Sequence, residues 1–195
     1  MMFKAITTAL LAAFLLSGCQ LLKAPEPPRE TYEFSAPRFS NGFPGGTNAQ
    51  LLVKLPTSLK AIDSERLILR PEPKVITYVG GAQWSDSVPR LVQAKLVEAF
   101  EKTGSAGATA KPGDGLVIDF QLIPDIRRFE IIGNRAVIEI SIKLLSDKSG
   151  RVVATRIFST SAATGGNQAA NYVAAFDRAF EEFAKDVIAW TFRQV

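Results

Sequence analysis

The sequence predicts an α+β domain in which a mostly antiparallel sheet carries two helices on one face, and three observations carry that prediction. Leu116 to Leu122 and Ile138 to Leu144 each alternate apolar and polar residues with the period of two that a half-buried strand requires. From Ala169 onward the large apolar residues recur instead at three-and-four spacing, as on one face of a helix. Prolines and paired glycines cut the remaining chain into short elements.

Taken in order, Lys23-Ala24-Pro25-Glu26-Pro27-Pro28-Arg29-Glu30 is too rich in proline for a helix and reads as an extended tether. Thr31-Tyr32-Glu33-Phe34 alternates and suits a first edge strand, and the glycine-rich run 40–46 reads as a flexible linker, so the folded body is expected to begin near Ala49. Leu51, Val53 and Leu55 form one strand up to Pro56; Leu67 to Pro71 and Lys74 to Val79 form two more, bounded by prolines and Gly80-Gly81. Ser87, with Pro89 in the first turn, opens a helix whose apolar face is Val88, Val92, Leu96, Ala99 and Phe100, and Gly104 ends it. The two alternating strands follow, linked by Gly133-Asn134, and Asp147 to Gly150 turns into a third from Arg151 to about Ser161, an antiparallel meander. The last segment carries Tyr172, Val173, Phe176, Phe180, Phe183, Val187, Ile188 and Trp190 against a charged opposite face, a long helix packed on the sheet. The order is βββ-α-βββ-α, a two-layer arrangement.

The first thirty residues carry a different message. Lys4 precedes an uncharged apolar run from Ala5 to Leu16 that is too short to cross hydrocarbon, and Leu16-Ser17-Gly18-Cys19 is a lipobox. The predicted organisation is a signal peptide over residues 1–18, cleaved between Gly18 and Cys19, an anchor and tether over 19–48, and one α+β domain over 49–195. Cys19 is the only cysteine, so it forms no disulfide within one chain, and lipidation accounts for its thiol. A single acyl chain anchors marginally and several anchor durably, so the expected address is a membrane surface. Gln20 rather than aspartate after the cysteine favours the periplasmic face of the outer membrane over that of the inner membrane.

Composition narrows the chemistry. The 195 residues hold 23 basic and 19 acidic side chains, a formal charge of +4 with no basic run, which argues against nucleic acid as a partner. Histidine is absent, which removes the commonest general base and transition-metal ligand, and a metal site of Cys and His cannot be built. No nucleophile elbow, phosphate loop or dinucleotide fingerprint occurs, and Glu181-Glu182 reads as a solvated helix face. The expectation is a protein that is not an enzyme and takes no cofactor beyond the lipid on Cys19. The most distinctive stretch runs from Tyr78 through Trp84 to Leu91. Trp84 is read either as a packing anchor or, with Tyr78 and Arg90, as a partner contact.

At these residues the chain resembles the ABC-type transport auxiliary lipoproteins, a family that includes paraquat-inducible protein C. The resemblance is carried by the lipobox, Tyr32 and Phe34, Leu55-Pro56, Leu59 to Asp63, Leu67-Ile68-Leu69-Arg70-Pro71, Ala82-Gln83-Trp84-Ser85-Asp86, Pro89-Arg90-Leu91, Phe129-Glu130, and Ala174-Ala175-Phe176 to Trp190. It implies a fold like the N-terminal domain of TolB and a non-catalytic subunit of a system in which an ABC permease, an ATPase and MCE-domain proteins move phospholipid-like molecules across the envelope. Self-association is left open. An assembly lipoprotein unconnected to transport and a periplasmic lipid-binding carrier are the alternatives.

Overall fold

The computed structural model describes residues 28–39 and 43–195; the expected signal peptide, Cys19 and the expected tether up to residue 27 lie outside the described residues. The strands are β1 (Glu30–Tyr32), β2 (Gln50–Val53), β3 (Thr57–Ser58), β4 (Ile68–Glu72), β5 (Val75–Tyr78) and β6 (Ala82–Trp84), then β7 (Ala108–Ala110), β8 (Phe120–Ile132), β9 (Arg135–Ser146) and β10 (Arg151–Ala163). Helix α1 (Val88–Lys102) lies between β6 and β7, and α2 (Ala169–Phe192) follows β10. This is the α+β architecture expected, two helices with a strand-rich curled sheet of eight strands, and β1 and β6 form a small two-stranded sheet beside it.

Three long strands, β8, β9 and β10, form the antiparallel meander, and Gly133 at φ 56° opens the two-residue turn between the first two. The early strands do not build a meander of their own. β2, β3 and β4 lie end to end along the other side of β8, each parallel to it, with β7 beyond β2 and β5 beyond β4. Pro124 sits at the break between β2 and β3. The Lys54 N–H donates to the Leu122 carbonyl at 2.9 Å, and two residues on, the same side of β8 presents a proline with no N–H to offer.

Two expectations about boundaries are corrected. The alternating run at 116–122 begins too early, because β8 starts at Phe120 and continues to Ile132, leaving Leu116 exposed and Val117 82% exposed in the preceding loop. The folded body does not begin at Ala49 either. β1 pairs in parallel with β6, Phe34 is buried, and its ring meets Trp84 edge-on at 5.7 Å. Burial of that one phenyl ring contributes about 1.5–3 kcal/mol toward holding this N-terminal strap, residues 28–39, against the body.

The core fills the layer between the sheet and both helices. β9 sends Ala136, Ile138, Ile140, Ile142 and Leu144 inward, all fully buried. α2 answers with Phe176, Phe180, Phe183, Val187 and Ile188, and α1 with Val92, Leu96 and Phe100. Phe129 of β8 stacks on Phe176 at 4.5 Å, and Trp84 meets Phe176 edge-on at 5.4 Å, so one aromatic cluster joins the strap, the sheet and α2.

Candidate functional site

The polar feature furthest from ordinary surface chemistry lies where β4 runs beside the end of β8. The register there sets Arg70 next to Ile132, and Glu130 and Arg128 follow on the same face of β8. Glu130 is 4% exposed, and both of its oxygens are taken: Oε2 accepts from Arg70 Nε at 2.7 Å and Oε1 from Arg128 Nε at 3.1 Å. A buried carboxylate requires such partners, since an uncompensated charge there would cost several kcal/mol. Arg70 also donates to the Pro73 carbonyl at 3.1 Å, which ties the β4–β5 turn to the triad. The three side chains line an open cleft of about 670 Å³ with Pro71, Glu72, Pro73, Ile132 and Gly133. The Glu130 carboxylate in this cleft is engaged by guanidinium donors, and Glu72 adds a second carboxylate to the lining.

The residues singled out as partner contacts occupy three different environments. Trp84 is 1% exposed inside the aromatic cluster, so it presents no surface to a partner and the packing-anchor alternative is the one realised. Tyr78, half-buried, carries the Arg66 guanidinium 3.8 Å from its ring centroid. Arg90 is exposed, 3.9 Å from Asp86, on the rim of a second cleft of about 330 Å³ that also includes Leu55, Ser58 and Pro89. Sequence reasoning missed the Arg70–Glu130–Arg128 triad. Its only sequence signal is that Arg70 and Glu130 fall in two of the segments that carry the family resemblance, sixty residues apart.

A second charged network fastens the strap to α1. The Lys95 ammonium lies 2.5 Å from Glu33 and 3.6 Å from Glu98, and Glu98 takes Lys102 at 2.6 Å. Burial pushes the Lys95 pKa down, but the hydrogen bonds and charges of Glu33 and Glu98 outweigh it, so the net shift is upward. The hydrogen bond from Lys102 holds the Glu98 carboxyl below its usual range against the opposing effect of burial, with help from the charges of Lys102 and Lys95. Among the described residues no group of His, Cys, Asp and Glu is arranged to hold a metal, and no helix is long and apolar enough to cross a membrane.

A curled mixed sheet backed by two helices, with open clefts on its surface and a packed layer between sheet and helices, defines a two-layer α+β domain. The chain belongs to the ABC-type transport auxiliary lipoprotein component family, whose model matches residues 32–188. That span begins at Tyr32, in agreement with the strap being part of the fold. The family's description is that of an auxiliary lipoprotein component of ABC-type transport. The chain is 33% identical to the uncharacterized protein bll6063 of Bradyrhizobium diazoefficiens over 185 residues, which is 91% of this chain and 49% of that protein, so it spans about half the length of the curated relative it matches. Among solved structures it is similar to protein XCC0632 of Xanthomonas campestris, assigned to DUF330, with 28% identity, a TM-score of 0.74, and coverage of 85% of this chain and 95% of the other. An uncharacterized protein at 11% identity and TM-score 0.69, covering 85% of this chain and 99% of the other, shares the fold.

Proposed function

We propose that this chain is the lipid-anchored, non-catalytic subunit that docks an ABC- and MCE-type assembly moving phospholipid-like molecules across the envelope, held through Cys19 to the periplasmic face of the outer membrane. The observation that carries the reading is the family match over nearly the whole folded body, from β1 into the last turns of α2. The geometry supports the docking role over that of a carrier. A carrier of this architecture would open an apolar chamber between sheet and helices, and that layer is occupied by fully buried side chains such as Ile140, Leu96 and Phe180. What the domain offers instead is surface: the arginine-lined cleft, the rim around Arg90 and the sheet edges.

The test is co-purification from native membranes. The chain, solubilised in mild detergent with an affinity tag after Val195, is expected to bring down an MCE-domain protein together with a permease and an ATPase. Recovery without any of the three would replace this reading with that of an assembly lipoprotein unconnected to transport. Recovery of a stoichiometric bound phospholipid on the isolated chain would replace it with that of a carrier.

A further inference from the structure

β10 is an edge strand: twelve of its thirteen residues pair with β9 on one side, and among the described residues no strand pairs with the other. The direction of its backbone groups follows from one bond. The Thr164 N–H donates to the Asn134 carbonyl at 2.8 Å, and Thr164 continues the register in which Ala162 opposes Ala136 and Thr160 opposes Ile138. Backbone groups alternate in direction along a strand, so the even-numbered residues from 156 to 162 face β9, and Thr155, Ile157, Ser159, Ser161 and Ala163 face outward. Two of those outward carbonyls are covered, that of Ala163 by Arg178 at 2.6 Å and that of Ser161 by Arg135 at 3.0 Å. At the other end a bulge between Val152 and Ala154 breaks the ladder. Between these guards, Thr155, Ile157 and Ser159 present open N–H and C=O groups.

This stretch contains no proline, lysine or acid, its one charged residue is Arg156, and it exposes the β-branched Ile157 at 52%. We propose that two copies of this chain join here, β10 against β10, antiparallel about a two-fold axis at Ile157.

Two features select a second copy and this register. The open stretch is symmetric about Ile157, so Thr155 faces Ser159 of the other copy and every open donor meets an open acceptor. Ile157 meets its own equivalent, which covers the most exposed apolar side chain of the strand. Centring the axis on Thr155 would set Ile157 against Val153 in the bulge, and centring it on Ser159 would set Ile157 against Ser161, whose carbonyl Arg135 covers, so either shift leaves open groups unpaired.

The test is disulfide trapping of the full chain in native membranes. In a facing hydrogen-bonded pair the Cα atoms lie about 5.5 Å apart, within disulfide reach. Mild oxidation of Ile157→Cys is expected to give a reducible dimer for most of the protein. Ser159→Cys alone should give at least about tenfold less, co-expressed Thr155→Cys and Ser159→Cys chains should cross-link to each other, and the unsubstituted chain should give no such band. Failure of the Ile157→Cys link, or equal linking by Ser159→Cys alone, overturns the proposal. Independently, Ile157→Pro removes an N–H that β9 does not use and is expected to convert a solubilised dimer to monomer with its circular dichroism retained. Ile157→Lys carries the same test if the proline variant does not fold. A wild-type monomer, or a dimer that survives either folded variant, also overturns it. None of these outcomes depends on the transport reading.

Discussion

Lys95 shows how one side chain can link the N-terminal strap to the body and give that link a pH window. A lysine whose folded pKa is raised stabilises the fold below its ordinary value near 10.5 and loses that contribution as pH climbs through the raised value. A carboxyl whose folded pKa is lowered stabilises above its ordinary value near 4.5 and loses that contribution as pH falls through the lowered value. The network therefore stabilises on a plateau between the two. Lys95→Met should destabilise the protein at pH 7 by less than about 1 kcal/mol, because its carboxylate partners are well exposed and screened, or about 1–4 °C in Tm for a chain of this size. Thermal melts from pH 3 to 11 should show the gap to wild type closing at both extremes. A gap that stays constant across the range would assign Lys95 a purely packing role. Trp84 marks the corresponding limit of the sequence at this scale. An aromatic residue between a strand and a helix start has the same appearance whether it anchors or docks, and only the arrival of Phe34, fifty residues upstream, decides that it is core. The partnership of Arg70 and Glu130 was equally hidden, because nothing local says that β4 ends beside β8.

At the scale of elements, two glycines set how closely the chain can approach itself. A Cβ on Gly107 would lie 2.3 Å from the Asn48 carbonyl oxygen, and one on Gly46 would lie 2.7 Å from that of Ser105. The two contacts lie where the segment leading into β2 runs beside the segment leading into β7, joined by the Thr47 N–H to the Ser105 carbonyl at 2.8 Å. Gly46 thus belongs to a close backbone contact, where sequence alone suggested a flexible linker. Gly107→Ala is expected to destabilise by about 1–3 kcal/mol through backbone displacement, measured by urea unfolding. Hydrogen exchange should rise first in β2 and β7, and unchanged stability would mean that the contact relaxes freely. The helices were legible because their apolar spacing is uninterrupted: each residue assigned to the inner face of α1 and α2 is buried. β8 was only half legible. Its inward residues Leu122, Pro124 and Ile126 keep a period of two, but the irregularity between Ile126 and Arg128 shifts the phase so that Phe129 and Ile131 point inward instead. Four charged residues from Asp125 to Glu130 further mask the apolar pattern. The three-residue strands β1, β6 and β7 are too short to carry any periodicity, and their pairing is decided by tertiary contacts.

For the molecule as a whole, the division between tether and body determines what the proposed anchor at Cys19 can affect. Among the described residues the buried core side chains all lie downstream of Glu30, whose N–H donates to the Gly81 carbonyl at 2.8 Å. Lipidation at Cys19 should therefore contribute to position and not to folding. Each buried acyl methylene is worth about 0.8 kcal/mol, so removing several chains abolishes stable attachment while leaving the core contacts intact. Cys19→Ser, exported to the periplasm, is expected to melt at the wild-type temperature and to move from the membrane pellet to the soluble fraction. It should also fail to restore transport in a strain lacking the native chain. If position at the membrane is what the protein supplies, replacing the lipid with an unrelated membrane anchor should restore transport. Full restoration by the soluble form would show that the domain acts by diffusion and binding alone. A soluble form with a lowered melting temperature would show that the tether packs on the body and shares in its stability.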